Sequence, residues 1–417
     1  MSPDDVTLEP QPGQPLPRAG GPAPPAALSP TAALRFVVAF GVVSLFADVT
    51  YEGMRSISGP FLALLGASSA AVGLIAGGGE LLGYTLRLAS GSLADRTHLH
   101  WPITLVGYLV QMAAVPALAL AGSWPAAAAL IILERVGKAT RNPPRDVMLS
   151  HAGEVIGQGW AFGLHEALDQ SGAMMGPLLV ALVLTLRHDY HAAFGWLAPS
   201  ALVTLLLVGA VRLRYPDAAR APEGAAALPA LGDRLPAAFW YYSVGAAMVA
   251  FGFADFTLVS YHFALARTVP PAVVPALYAL AMGAAGVGSL LAGRLYDKRG
   301  LVVLLPLTVV IAAYAPLVFL GGFWAALAGA LIWGLGLGVH ESVMSAAVAH
   351  MAPSSRRARA FGLFTAIFGI AWFAGSAVLG VLYAHSVPAT AWLATAMQLA
   401  ALAPISLAAR AMPAVRS

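Results

Sequence analysis

Several ionisable residues lie inside otherwise apolar stretches of this sequence, where they could exchange protons or hold a polar ligand. These residues are Asp48, Glu52, Glu80, Glu134, Arg135, Asp169, Asp255 and Glu341. A charge at the centre of a bilayer costs about 2.5–3.5 kcal/mol even on insertion-based scales, so it usually faces a bundle interior or a water-filled cavity. We interpret the set as the wall of a transport path. The alternative for any single residue is a position near a helix end, from which it snorkels to water.

The first apolar stretch shows how such residues could form one site. Asp48 and Glu52 are four residues apart and Arg55 follows three residues later, so a helix places all three on one face. Burial and neighbouring charges together decide whether a carboxylate in such a place holds a proton. This face could therefore load and release protons as its access to water changes.

The composition predicts an integral membrane protein. Of the 417 residues, 59% are apolar and 10% are charged, and the mean hydropathy is +0.77. Most of the apolar stretches reach the roughly 20 residues that a spanning helix needs. They cover residues 31–54, 68–90, 101–122, 124–141, 158–186, 192–213, 237–262, 272–293, 301–320, 323–348, 360–385 and 388–411. We therefore expect an all-α membrane protein of twelve spans.

Polar segments divide the chain. We expect a disordered cytoplasmic tail at 1–30, a six-helix unit at 31–213, a cytoplasmic linker at 214–236, a second six-helix unit at 237–411 and a short tail at 412–417.

Arginine and lysine predict the orientation, because cytoplasmic loops carry an excess of them. One side of the predicted spans has Arg96, Arg141, Arg145, Arg212, Arg214, Arg220, Arg234, Arg294, Lys298, Arg299, Arg356, Arg357 and Arg359. The opposite side has Arg55, Arg187 and Arg267. Both termini are therefore expected in the cytoplasm of a bacterium, with the chain in its inner membrane. The net charge of +4 reflects this topology and does not indicate nucleic acid binding.

The two predicted units repeat one another in sequence. Phe46-Ala47-Asp48 matches Phe253-Ala254-Asp255, and the segment 91–96 (GSLADR) matches 293–298 (GRLYDK). The segment 161–164 (AFGL) likewise matches 360–363. Three matches in the same order indicate an internal repeat of six helices. Transporters built from repeats bind substrate near the midplane, between the halves.

The repeated loop signature resembles that of the major facilitator superfamily, over about residues 31–411. The resemblance implies two pseudo-symmetric six-helix bundles that work by alternating access. It also implies a conformational latch in the two signature loops, in which the aspartate contacts a helix terminus and nearby arginines. The latch residues would be Gly91, Asp95, Arg96, Gly293, Asp297 and Lys298. The first loop departs from the family pattern, since His98 and Leu99 replace a glycine and a basic residue.

Two further segments carry the resemblance. Gly172, Gly176 and Pro177 are similar to the fifth-helix motif of the superfamily's antiporters, which points to export; ordinary close helix packing is the alternative. Segment 133–138 (LERVGK) resembles the fourth-helix motif, in which an arginine, here Arg135, helps to govern proton binding. The prolines at 143 and 144 are expected to end or bend this helix, leaving Arg141 and Arg145 solvated or paired with lipid phosphates.

In this superfamily the first, fourth, seventh and tenth helices line the cavity. The resemblance therefore implies a proton-coupling and cavity set of Asp48, Glu52, Glu134, Arg135, Asp255, His340 and Glu341. We predict Asp48 and Arg135 as the coupling pair. A static ion pair that fixes helix packing is the alternative.

Other ionisable residues lie outside this cavity set. His165, Glu166 and Asp169 on the fifth span are candidates for a proton path or a gate. Glu80 and Arg87 share a face of the second span, where we expect a local structural ion pair. The histidines form no dense cluster, so the set of expected metal ligands is empty, although transport of a metal or metal chelate stays open.

Enzymatic functions find little support. A phosphate-binding loop would need a glycine at Ile132, and an H-E-x-x-H zinc motif starting at His165 has Asp169 in its last position. No cofactor is expected. We predict a proton-coupled exporter of a drug-like compound or metabolite that works as a monomer in the lipid bilayer. Proton-coupled uptake and a non-transporting sensor or scaffold are the alternatives.

Overall fold

The computed structural model describes residues 29–219, 235–351 and 357–412, which are almost entirely helical. The helices are α1 (Pro30–Leu64), α2 (Ser69–Thr97), α3 (His100–Ala117), α4 (Trp124–Ile156), α5 (Gln158–Arg187), α6 (Tyr190–Gly195), α7 (Ala198–Arg214), α8 (Ala237–Gly252), α9 (Phe256–Ala266), α10 (Val273–Arg299), α11 (Leu304–Ala312), α12 (Tyr314–Leu320), α13 (Phe323–Met351), α14 (Arg357–His385), α15 (Val387–Ala400) and α16 (Leu402–Ala411). Serine side chains cap the starts of α1, α2 and α15. The predicted tail before residue 29, residues 220–234 of the predicted linker and the last residues of the chain lie outside the described ranges.

The described helices form twelve membrane spans, as the sequence predicts. Within the described residues, nine stretches are long and apolar enough to cross a membrane, and Val273–Leu320 contains two successive spans. The two remaining spans are α2 and α4, which fall below the hydropathy of the others. Both carry ionisable residues along their length, and these residues form the candidate site described below.

The seventh span is broken, whereas its apolar pattern predicted a continuous helix. α8 ends at Gly252 and α9 begins at Phe256, with Asp255 as its N-cap. The backbone groups freed by the break find side-chain partners. The Tyr314 hydroxyl donates to the carbonyl oxygen of Gly252 at 2.8 Å and accepts from the amide of Ala254 at 2.6 Å. Irregular backbone at membrane depth is tolerated where protein groups satisfy it in this way.

α4 continues through two prolines, so the prediction that they end the helix is wrong. The ring nitrogen of Pro143 cannot donate to the carbonyl of Ala139, one turn earlier. The Ser90 hydroxyl of α2 donates to that oxygen at 3.0 Å. The neighbouring helix therefore supplies the missing hydrogen bond.

The helices before residue 220 form one six-helix bundle and those after 235 form the other. They meet chiefly along three helix pairs: α1 with α9, α2 with α14 and α5 with α10. We call the face at which Pro30 and Ala411 lie the terminal face, and the opposite face the distal face. Close crossings mark the distal half of the interface. A Cβ on Gly59 would overlap the carbonyl oxygen of Thr257, and one on Gly73 would overlap that of Ser376. The bundles are therefore closed at the distal face.

Toward the terminal face the bundles part. The rings of Tyr84 on α2 and Phe368 on α14 are still 6.2 Å apart, but beyond them the two helices diverge around a crevice. The bundles are thus closed at the distal face, and a crevice separates α2 from α14 toward the terminal face.

Replacing Tyr314 with phenylalanine should lower the free energy of unfolding by about 1–3 kcal/mol, because a buried amide loses its partner. Thermal unfolding of the purified protein in detergent measures the change. Tyr241→Phe is the matched control, since that tyrosine is 42% exposed on α8. Equal melting temperatures for the two variants would contradict the role of Tyr314 at the break.

Candidate functional site

One face of α1 forms the core of the candidate site. Asp48, Tyr51, Glu52 and Arg55 are three or four residues apart and lie along one side of the helix. Each of these residues is at most 8% exposed. α1 packs against α4 and α5 of its own bundle and against α9 and α10 of the other. A change of charge on this face therefore acts on both bundles.

The distal end of this face joins the two bundles through polar contacts. Nη2 of Arg55 lies 3.1 Å from Oδ2 of Asp255. The Tyr278 hydroxyl of α10 donates to Oε2 of Glu52 at 2.5 Å. Both contacts are buried, and Coulomb attraction is stronger away from water. They link closure of the distal face to the charge state of two carboxylates.

Asp255 serves two elements at once because it lies at the break of the seventh span. Its Oδ1 accepts from the amide of Thr257 at 2.8 Å and from the Thr257 hydroxyl at 2.7 Å. Its Oδ2 is left for Arg55. Asp48, its counterpart in the sequence repeat, lies inside the unbroken α1. The two aspartates therefore have different surroundings despite the matching sequence.

Arg135 on α4 is the centre of a second charged group. Its Nη1 lies 2.8 Å from Oε1 of Glu80 and donates to the Tyr51 hydroxyl, and its Nε lies 3.8 Å from Oε2 of Glu134. A Cβ on Gly79 would lie 3.1 Å from Cγ of Arg135, so this glycine makes room for the arginine stem. Arg135 and Asp48, the predicted coupling pair, form no direct ion pair in this conformation, because α2 presents Glu80 to the guanidinium. The expected local ion pair on α2 is wrong for the same reason. The coupling role of Arg135 and Asp48 stays a prediction.

Asp48 lies instead beside Arg141, at 3.9 Å from its Nη2. Nε of Arg141 donates to Gln111 at 2.6 Å and Nη1 donates to the Tyr108 hydroxyl at 2.9 Å. Gln111 in turn donates to Oε1 of Glu134 at 2.7 Å. Arg141 is 1% exposed, so the expectation that it is solvated is wrong. The continuation of α4 through its prolines keeps this arginine inside the bundle.

The two remaining cations of α4 have different partners. Nζ of Lys138 lies 3.5 Å from the centre of the Tyr51 ring and has no carboxylate within 4 Å among the described side chains. Arg145 is 9% exposed and pairs with the half-exposed Asp146 at 2.8 Å, so it too is not solvated as expected. Its Nη1 lies 3.5 Å from the Ser44 hydroxyl. Lys138 therefore has no direct ion pair among the described side chains, and the charges of Asp48, Glu52 and Glu134 act on it from a longer distance.

The fifth-span group lies closer to the terminal face. Nε2 of His165 is 3.4 Å from the Ser44 hydroxyl, and its Nδ1 has no hydrogen-bond partner among the described residues. Glu166 is exposed and accepts from Gln170 at 3.1 Å. Asp169 is half-buried, and its Oδ1 has no described partner. These groups lie in the same bundle as Asp48, and the Asp169 carboxylate is close enough to act on Asp48 electrostatically.

Glycines of α5 allow it to pack directly on α1. A Cβ on Gly172 would overlap the carbonyl oxygen of Leu45, and one on Gly176 would overlap that of Val49. Pro177 follows within the helix. This geometry matches the close-packing interpretation of the motif and places α5 against the helix that carries Asp48.

The predicted latch residues lie near the terminal face at the ends of α2 and α10. Arg96, Asp297 and Lys298 are exposed and have no ion pair within 4 Å among the described side chains. Gly91 and Gly293 are part of these helices. The side chain of Asp95 lies outside the description. The latch stays a prediction.

His340 of the tenth span makes no described contact with the charged cluster. His340 is 9% exposed, and its ring centre is 5.1 Å from that of Phe253 at the helix break. The side chain of Glu341 is outside the description. Within the described residues there is no group of three or more histidine, aspartate or glutamate side chains arranged to hold a metal ion.

Sequence reasoning missed several members of the charged network. Tyr51 could have been found from its place on the face of α1, and Gln111 from its amide inside an apolar span. Tyr278 carries no such signal. Its contact with Glu52 joins positions 226 residues apart, which the linear pattern cannot show.

Comparison with known proteins places this architecture among membrane transporters. The family model of the Major Facilitator Superfamily matches residues 38–376 and 273–416. An uncharacterized protein of Mycobacterium tuberculosis is 41% identical over 382 residues, which is 89% of this chain and 92% of the relative. An uncharacterized MFS-type transporter of Methanocaldococcus jannaschii is 29% identical over 157 residues, or 37% of this chain and 39% of the relative.

Solved structures share the fold at low sequence identity. A peptide transporter POT in complex with sulfate has a TM-score of 0.67 at 16% identity, covering 90% of this chain and 93% of that one. A bacterial homolog to the human lysosomal transporter Spinster, in an inward-facing and unoccupied conformation, has a TM-score of 0.64 at 16% identity, covering 91% of this chain and 96% of that one. These similarities support the fold and not a substrate.

Asp255→Asn should weaken the closed distal face. The amide can still cap α9, but it no longer offers Arg55 a charge, and breaking a buried ion pair costs several kcal/mol. The chain has no cysteine, so a Ser58→Cys thiol at this face is a clean reporter. We expect its alkylation to accelerate by about tenfold, the effect of about 1.4 kcal/mol.

A Leu265→Cys thiol is the matched control, because that position is already 54% exposed. Its alkylation rate should be the same with and without Asp255→Asn. Unchanged reactivity of the Ser58→Cys thiol would show that the Arg55–Asp255 pair does not hold the face closed.

Proposed function

Because the chain belongs to the major facilitator superfamily, we propose that it is a secondary active transporter that exports a small molecule in exchange for protons, by alternating access. The observation that carries this proposal is the buried charge network along α1, which ends in the Arg55–Asp255 pair between the bundles. Among the described side chains, this is the ion pair that joins the two bundles. We also propose that the protein lies in a bacterial inner membrane with both termini in the cytoplasm. The arginine-rich terminal face supports this orientation.

Asp48 is the proposed proton-binding residue. Arg141 lies 3.9 Å from its carboxylate, beyond hydrogen-bond distance, and this arginine is already bonded to Gln111 and Tyr108. Asp255, by contrast, accepts two hydrogen bonds from Thr257 and pairs closely with Arg55. Protonation of Asp48 therefore disrupts fewer contacts of the structure than protonation of Asp255. We assign proton exchange to Asp48 and gating to Asp255.

The same helix can transmit the proton's effect to the gate. Asp48 lies seven residues before Arg55, about 10 Å along α1. Glu52 lies between them and holds the Tyr278 hydroxyl of the other bundle. A proton on Asp48 removes one negative charge from the side of α1 that carries both acidic and basic residues. This changes the electrostatic attraction that holds the distal face of the molecule closed. A substrate anion near Lys138 would act in the opposite sense.

The proposed direction rests on the fifth-span motif. Gly172 and Gly176 bring α5 against the part of α1 that carries Asp48, so the motif and the proposed proton site share one helix pair. In an exporter of this kind, proton entry at the distal face and substrate entry at the terminal face alternate. The parted terminal face is the state that would accept substrate from the cytoplasm.

Asp48→Asn should abolish proton-coupled transport while leaving the protein folded, because the amide keeps the shape but cannot exchange a proton. Proton flux into proteoliposomes, driven by a substrate gradient, measures the coupling. Asp189→Asn is the matched control, since Asp189 caps the short α6 away from the charged network and asparagine also caps well. Full proton flux in Asp48→Asn would overturn the assignment.

Direction and substrate can be tested by growth. An efflux-deficient bacterium that expresses the wild type or Asp48→Asn is challenged with antibiotics, lipophilic cations, metabolite analogues and divalent metals. Export predicts protection by the wild type and none by the variant. Sensitisation by the wild type would show uptake and would contradict the proposed direction.

A further inference from the structure

A crevice opens between the two bundles where α2 and α14 diverge toward the terminal face. Its volume is about 340 Å³, and it is lined by Tyr84, Arg87, Leu88, Phe361, Phe364, Thr365 and Phe368. This volume is within the usual range of small-molecule sites, at roughly 300–1,000 Å³. Its lining residues differ from those of the charged network of α1 and α4, although Glu80 of that network lies one turn before Tyr84 on α2.

The crevice contains one cation without an acidic partner among the described side chains. Arg87 is exposed, and its guanidinium lies 5.7 Å from the centre of the Tyr84 ring. No carboxylate that the structure describes lies within 4 Å of it. Glu80, two helical turns earlier on α2, is held by Arg135 at 2.8 Å. The ion pair inside the first bundle therefore leaves the guanidinium of Arg87 available to an external anion.

The opposite wall of the crevice is aromatic and well ordered by packing. Phe364 stacks on Tyr242 with ring centres 5.5 Å apart and planes 7° apart. Phe368 lies 6.1 Å from Phe364 and 5.7 Å from Trp372, so the row continues along α14. Aromatic faces offer a large apolar surface at low conformational cost. Phe364 and Phe368 are 5% and 3% exposed, so they form the floor of the crevice, and the half-buried Phe361 offers its surface to a hydrocarbon chain.

The position of the crevice suits a molecule with one charged end. Arg87 lies ten residues before the end of α2 at Thr97, about 15 Å along the helix. The helices diverge at this level, so a chain bound against α14 can extend toward the bilayer while its head contacts the arginine. Arginine binds carboxylate and phosphate groups in a bidentate manner.

We propose that this crevice binds an amphipathic anion, with its phosphate or carboxylate on Arg87 and its apolar part against Phe361, Phe364 and Phe368. The source of such a ligand is either a phospholipid of the bilayer or a free amphiphile. The shared chemistry is an acidic head on an apolar chain. The inference concerns binding and does not depend on the direction or coupling of transport.

Protection of an introduced thiol tests this site. Thr365→Cys places one thiol in the crevice of an otherwise cysteine-free chain, and the protein is studied in phosphatidylcholine nanodiscs. Dodecyl phosphate should slow alkylation of this thiol by about tenfold, as expected for a charge-assisted hydrogen bond of about 1.5–3 kcal/mol. Dodecyl phosphocholine and inorganic phosphate should each give little protection, since one lacks net charge and the other lacks a chain. A Leu213→Cys thiol, 85% exposed at the end of α7, should not be protected by any of the three.

Arg87→Gln should remove the protection by dodecyl phosphate, and Arg87→Lys should retain part of it. The matched control is Arg410→Gln, an exposed arginine of α16 at the same face, which should leave protection intact. Unprotected alkylation rates equal to those of the wild type show that each variant is folded. Equal protection by dodecyl phosphocholine, or full protection in Arg87→Gln, would overturn the proposal.

The source of the ligand is resolved by changing the lipid. In nanodiscs that contain phosphatidylglycerol and no added amphiphile, protection of the Thr365→Cys thiol would identify a bilayer phospholipid as the occupant. This protection should be lost in Arg87→Gln. Protection by dodecyl phosphate without protection by phosphatidylglycerol would identify a free amphiphile. Proton flux by the same variants is measured separately, so failure of this site is distinguishable from failure of the proposed exchange mechanism.

Discussion

Charge buried between membrane helices requires a partner, and most of this structure follows from that requirement. Three carboxylates of the first bundle, those of Asp48, Glu80 and Glu134, lie in one extended network with the cations of α4. Neutral groups such as Gln111 and Tyr51 carry the network between charges. An ion pair inside protein gains net stability only when hydrogen bonds satisfy its remaining atoms. The network therefore couples α1, α2, α3 and α4 into one unit.

The same requirement governs the backbone. The broken seventh span is possible because Tyr314 and Trp333 bond its free groups; Nε1 of Trp333 donates to the carbonyl oxygen of Ala254 at 2.9 Å. The unbroken α4 is possible because Ser90 bonds the carbonyl that Pro143 leaves free. In both places a neighbouring helix decides whether the chain continues as a helix. The break in turn places Asp255 at the bundle interface, where it meets Arg55.

The two bundles present different chemistry to the space between them. The first offers charges of both signs on α1 and α4, whereas the second offers an aromatic row along α14 that continues to Phe253 at the helix break. A ligand between such walls needs a charged part and an apolar part. Closure at the distal face depends on a few buried polar contacts, so small changes in charge can shift the balance between conformations.

The sequence alone determined the membrane class, the twelve spans, the repeat and the cluster of ionisable residues, because hydropathy and helical spacing are local properties of the chain. It could not determine which charges pair. Arg135 meets Glu80 and not Asp48, and Arg141 is buried and not solvated. Such choices depend on the distance between helices far apart in sequence, on a glycine such as Gly79 that makes room, and on the partner that each backbone group finds. Only the packed bundle decides them.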